Sequence, residues 1–177
     1  MYNKKFKPTK YLIKKKTTEL TNDQIYRICK LKDTVWKYGL KSQFIWFNKY
    51  IKKKDLHIMM FIKSNLIGYI NLQNRTFYQG KYKNKYFYFN TLVINKKFRK
   101  KKYSTTLMEF YKKIILKINK ISFLTCKKKH IEYYKKFGWK LMNNKEFTIK
   151  DDKFAQYGMI YNEKYKLDLK YFFYFCK

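Results

Sequence analysis

The chain has 177 residues, 46% hydrophobic and 21% aromatic, which excludes a disordered chain and suits one folded domain spanning 1–177. Its formal net charge is +33, from 44 basic and 11 acidic residues, and only Arg27, Arg75 and Arg99 are arginine. No run approaches the roughly 18 apolar residues of a membrane span, and residues 1–16 lack the apolar core of a secretory leader. Three widely spaced cysteines, Cys29, Cys126 and Cys176, argue against a disulfide framework and for a reducing, cytoplasmic setting. Cysteines and histidines nowhere show metal-ligand spacing, so no metal is expected.

Taken in chain order, Tyr11, Leu12 and Ile13 begin a strand. Thr21 and Gln24 form a capping box that opens a helix with Ile25, Ile28, Cys29 and Leu31 on its apolar face. A second helix is expected over 42–51. Strands are expected over 56–62 and 66–72, joined by a two-residue turn at Ser64 and Asn65. The polar stretch 73–85 reads as the longest loop, and a strand over 86–94 follows it. Lys96 to Lys102 is a run of seven residues, six of them basic. Leu107, Phe110, Tyr111, Ile114 and Ile118 then recur at helical spacing. A strand over 121–125 and a helix over 129–137 come next. Gly138 suits the left-handed position that ends a helix. Strands over 139–142 and 157–161 would re-enter the sheet. The aromatic run at 170–176, within a C-terminal segment 163–177, reads as an edge strand or a packing tail. The order β-α-α-β-β-β-α-β-α-β-β is that of a mixed α/β (α+β) sheet flanked by helices.

The strand-turn-helix at 90–110 has a physical consequence. A helix start leaves backbone N–H groups unpaired and carries the positive end of the helix dipole, so it attracts phosphate. Ile94, the run Phe98-Arg99-Lys100-Lys101-Lys102-Tyr103-Ser104, and Leu107-Met108 resemble the acetyl-coenzyme A site of the GNAT N-acetyltransferase superfamily. That family's turn reads Arg/Gln-x-x-Gly-x-Gly/Ala; Arg99 matches its first position, while Lys102 and Ser104 stand at its glycines. Tyr134-Lys135-Lys136-Phe137-Gly138-Trp139 is similar to the family's later Tyr-x-Lys-x-Gly-Phe element. Ile67-Gly68-Tyr69-Ile70 is a weaker echo of its earlier hairpin strand. The likeness covers 10–142 in element order and is strongest over 86–142.

The resemblance implies a mostly antiparallel GNAT-like sheet and acetyl-coenzyme A as co-substrate. It implies cofactor contacts from Leu92, Val93, Ile94, Arg99, Lys100, Lys101, Lys102, Tyr103, Ser104 and Thr105, with Lys127 where many relatives have an Asn. Tyr134 takes the place of the general acid that protonates the departing thiolate. His57 is a candidate general base, beside a water. Acetyl transfer to a small-molecule or protein amine, by direct attack in a ternary complex, is the activity implied. The basic charge disfavours polycationic acceptors unless Asp33, Asp55 or Glu19 gather at the acceptor mouth. A second reading keeps the fold without catalysis, as a basic module holding nucleic acid or an acidic partner. Abundant Lys, Asn, Ile, Tyr and Phe are also what an AT-rich genome would encode without selection on function.

Overall fold

The computed structural model describes residues 9–150, 157–163 and 169–175. Cys176 and residues 164–168 of the expected C-terminal segment lie outside them. The described strands are β1 (Lys10–Lys16), β2 (Leu56–Ile62), β3 (Asn65–Gln79), β4 (Tyr82–Ile94), β5 (Ser122–Cys126), β6 (Lys140–Leu141), β7 (Phe147–Lys150), β8 (Tyr157–Tyr161) and β9 (Tyr171–Tyr174). The helices are α1 (Asn22–Asp33), α2 (Leu40–Tyr50), α3 (Tyr103–Ile118) and α4 (Ile131–Lys135). The sheet runs β1-β2-β3-β4-β5-β8-β6, with β9 bridging β3 and β7. Among the described residues only β4–β5 and β7–β9 pair in parallel, so the sheet is mixed and mostly antiparallel, as expected.

Every residue of β2 is buried, because helices cover both faces of the sheet at its centre. The period-2 alternation of a strand divides its side chains between two cores. Ile58, Met60 and Ile62 pack with Leu107, Met108, Tyr111 and Ile115 of α3. Met59 and Phe61 pack with Ile28, Cys29 and Phe47 of α1 and α2. The capping box at Thr21 and Gln24 forms as read, with each side chain bonding the other residue's backbone N–H at 3.2 Å.

Two local expectations need correction. The turn after β2 uses Lys63 and Ser64, with Lys63 left-handed at φ 53°, and Asn65 already belongs to β3. The stretch 73–85 is not a loop: β3 and β4 continue as a long hairpin that turns at Gly80 and Lys81. Its polar residues misled the reading because Gln73, Arg75 and Gln79 point inward, and Arg75 and Gln79 find hydrogen-bond partners there. The Arg75 guanidinium donates to Asp55 Oδ1 at 2.9 Å and to the carbonyls of Tyr50 and Phe175 at 2.7 Å each. Gln79 donates to the Leu169 carbonyl at 3.1 Å. Phe77, Tyr86, Phe123, Phe147, Tyr171 and Phe173 form a third, aromatic core around this hairpin.

Candidate active site

The site begins where two parallel strands part. The β4–β5 ladder has two register positions, Phe87↔Ser122 and Tyr88↔Phe123. Beyond them β4 continues to Ile94 and β5 to Cys126 without further pairing to each other. Where they diverge, β4 is also bulged. Asn71 faces Thr91 and Leu72 faces Phe89, so Asn90 has no counterpart on β3. A bulge adds local twist and re-aims neighbouring side chains.

The opening is a cleft of about 810 Å³. Asn90, Leu92, Val93 and Ile94 line it from β4, and Thr125, Cys126 and Lys127 from the β5 end. Arg99, Lys100, Lys102, Tyr103 and Ser104 close one end, and Tyr133 and Tyr134 of α4 form another wall. Ten of the twelve sequence-expected contacts outside β2 therefore share one cleft, while Lys101 and Thr105 do not line it.

The turn reaches the helix through two left-handed residues, Lys100 at φ 62° and Lys102 at φ 58°. Lys102 is the N-cap of α3 and makes no side-chain capping bond. It stands where the resemblance implies glycine and adopts the backbone conformation that glycine would take without strain. Tyr103, Ser104 and Thr105 open the helix and have no preceding turn to accept from their N–H groups. Arg99 folds back, donating its Nε to the Ile94 carbonyl at 3.2 Å, which ties the turn to the end of β4.

Tyr134 is half-buried, packed edge-on against Phe89 and Trp139. Burial pushes its phenol well above its usual range, with Cys126, Tyr133 and Tyr88 adding in the same direction. Such a phenol keeps its proton at any physiological pH and remains a donor.

His57 lies elsewhere. It is fully buried between Phe47 and Tyr69, with Nδ1 2.7 Å from Tyr69 Oη and Nε2 2.9 Å from Thr17 Oγ1. Burial, helped by Lys32, lowers its pKa from 6.5 to about 3. It does not line the cleft and both ring nitrogens are engaged, so the geometry gives a base role no footing. His130, exposed before α4, does line the cleft. The acidic residues weighed for the acceptor mouth are used elsewhere. Asp55 is buried against Arg75, Glu19 bonds the Lys16 N–H, and Asp33 accepts from the Gly39 N–H. The sequence reading missed Val35, Trp36, Asn90 and Phe98 as cleft residues. Asn90 carried a signal, a polar residue inside an otherwise apolar strand end; Trp36 and Val35 carried none, because they reach the cleft only through the packing of α1 on the sheet.

The fold is a mixed, mostly antiparallel α/β architecture in which one parallel pair splays open onto an uncapped helix start. The sequence profile of the Acetyltransferase (GNAT) family matches residues 22–139, and the chain belongs to that family. Solved structures agree on the fold. An acyl-CoA N-acyltransferase from Pseudomonas aeruginosa is 15% identical, with a TM-score of 0.65 over 86% of this chain and 99% of that one. The PaiA N-acetyltransferase of Thermoplasma acidophilum, in complex with coenzyme A, is 17% identical with a TM-score of 0.55 over 85% and 98%. An aminoglycoside 6'-N-acetyltransferase complexed with coenzyme A is 13% identical with a TM-score of 0.58 over 84% and 96%. No curated protein sequence matches the chain. No helix among the described residues is long and apolar enough to cross a membrane.

Proposed function

We propose that the chain is an acetyl-coenzyme A-dependent N-acetyltransferase. The observation that carries this reading is the continuity of one cleft from the start of α3, along the edge of β4 that has parted from β5, to Tyr134. The N–H groups of Tyr103, Ser104 and Thr105 would take the pyrophosphate, with Arg99, Lys100 and Lys102 adding positive charge. The free edge of β4 at Leu92, Val93 and Ile94 would pair with the amide-bearing arm, and Lys127 would flank it. A neutral amine attacks the acetyl carbonyl, and a β4 N–H near Leu92 polarises that carbonyl. The tetrahedral centre collapses by breaking the C–S bond. Tyr134 gives its proton to the departing thiolate, the new amide loses one proton to water, and the phenolate is then reprotonated from solvent.

Coenzyme A bound to two of the structural neighbours supports this choice of co-substrate. The reading also accounts for the basic residues of the cleft, so no separate nucleic-acid module is needed to explain them. The test is release of free thiol from acetyl-coenzyme A in the presence of an amine panel. Amine-dependent release with a matching acetylated product is expected. Release that no amine stimulates, together with no binding of acetyl-coenzyme A, would contradict it.

A further inference from the structure

Lys32, near the end of α1, is 6% exposed and carries a positive charge that no acidic group among the described residues pairs. The four ion pairs among the described residues are Arg27–Asp23, Arg75–Asp55, Lys112–Glu109 and Lys135–Glu132. Its own contact is with an aromatic face: Nζ lies 3.2 Å from the centre of the Trp46 ring on α2. Its neighbour Asp33 is turned away to the Gly39 N–H at 2.9 Å. A buried ammonium without a hydrogen-bonding anion is costly, and natural folds normally supply that anion.

Here the space for one is present. Lys32 lines a pocket of about 360 Å³ with Trp36, Gln43, Trp46, Asn90 and Thr91. That volume is at the small end for ligand sites. Trp36 and the bulged Asn90 also line the long cleft, so the two spaces meet at the splay of β4. The wall is held in place: buried Gln43 donates its Nε2 to the Trp36 carbonyl at 2.8 Å. Among the described residues no carboxylate lines either space, and the charged groups that do are basic.

We infer that this pocket receives the acceptor as a small amine that also bears a carboxylate and an apolar or aromatic body, the carboxylate on Lys32 and the body against Trp36 and Trp46. The inference rests on the acetyltransferase reading, which makes the pocket the acceptor's side of the cleft. The carboxylate supplies the counter-charge that none of the described residues provides. The aromatic walls supply apolar contact and exclude water, so the ion pair forms in a low-dielectric setting. An amine lacking the carboxylate leaves Lys32 unpaired and is rejected for that reason.

The test is a fluorescence titration at physiological salt, since two of the three tryptophans line the pocket and Trp139 is buried in the core. The probes are the protein amino acids, their amides and the corresponding decarboxylated amines, such as phenylalanine, phenylalaninamide and phenethylamine. At least one acid is expected to bind about tenfold or more tightly than its amide and amine, and Lys32→Met is expected to abolish that preference. Equal or weaker binding of every acid, no saturable binding by any acid, or a preference that survives in Lys32→Met would overturn the inference. Acetyl-coenzyme A is titrated into the same preparations. If it binds and no acid does, the pocket assignment falls and the transferase reading stands. If acids bind and it does not, the transferase reading falls and the anion pocket stands.

Discussion

Replacing Lys32 by Met tests whether the unpaired ammonium is a cost the fold carries. Burial lowers the Lys32 pKa from 10.5 to about 8, with the Cys29 thiol pulling slightly the other way. In the unfolded chain the ammonium keeps its proton up to 10.5; in the folded one it loses it near 8. Between those values the unfolded state binds more protons, so stability rises with pH across that window. Below it both states are charged and the penalty is fully present; above it both are neutral and the penalty is gone. At about 1.4 kcal/mol per tenfold change in proton affinity, the penalty is about 3 kcal/mol. The variant also gives up the desolvated Trp46 contact, about 2 kcal/mol. Lys32→Met is therefore expected to be roughly 1 kcal/mol more stable than the parent at pH 7. The assay is urea unfolding of both proteins under reducing conditions, from pH 7 to 10.5, read as the difference so that the other lysines cancel. The gap should close as pH rises through the window. A variant less stable than the parent at pH 7, or a gap independent of pH, would refute the reasoning.

Three further outcomes follow from the site. Lys102→Gly removes a left-handed lysine that costs about 1–2 kcal/mol, partly offset by the greater freedom of unfolded glycine. Thermal unfolding should therefore show a gain of a few tenths to about 1 kcal/mol, with acetyl-coenzyme A affinity retained; a net loss of stability would contradict the strain assigned to φ 58°. Tyr134→Phe should lower kcat about 100-fold or more while leaving acetyl-coenzyme A binding unchanged, as removing a general acid does; unchanged kcat would remove Tyr134 from the mechanism. His57 is held neutral down to about pH 3, whereas an unfolded histidine takes a proton below 6.5, so it contributes stability that is lost as pH falls through that interval. His57→Asn should flatten that acid-side loss in a pH series of unfolding curves and leave the pH profile of kcat/KM unshifted; a shifted profile would restore it as a candidate base.

The parts of this structure that were legible in sequence are those with local causes. The capping box at Thr21 named the start of α1, because cap chemistry is decided within four residues. The basic run and the apolar spacing after it located the turn and α3: Leu107 and Tyr111 are buried, Phe110 and Ile114 pack against the core partly buried, Ile118 is exposed, and Met108 and Ile115 complete the buried face. What failed to show depended on partners far along the chain. Arg75 reads as a loop residue until Asp55, Tyr50 and Phe175 surround it. His57 reads as a base until Phe47, Tyr69 and Thr17 are seen to enclose it. Lys32 was one lysine among many, and only the packing of α1 against α2 sets it apart. In so basic a chain, the sign of a charge carries little information and its burial carries much more.

The most direct test of the central claim is a calorimetric titration of the protein with acetyl-coenzyme A at about 0.3 M salt, with ADP in parallel. At that ionic strength exposed lysines are largely screened and no longer hold phosphate unselectively. Saturable one-to-one binding much tighter than ADP, lost in Ser104→Asp because a carboxylate then sits at the start of α3, is the predicted result. Binding no tighter than ADP, or binding that survives Ser104→Asp, would contradict the assignment of the β4–α3 cleft to the co-substrate.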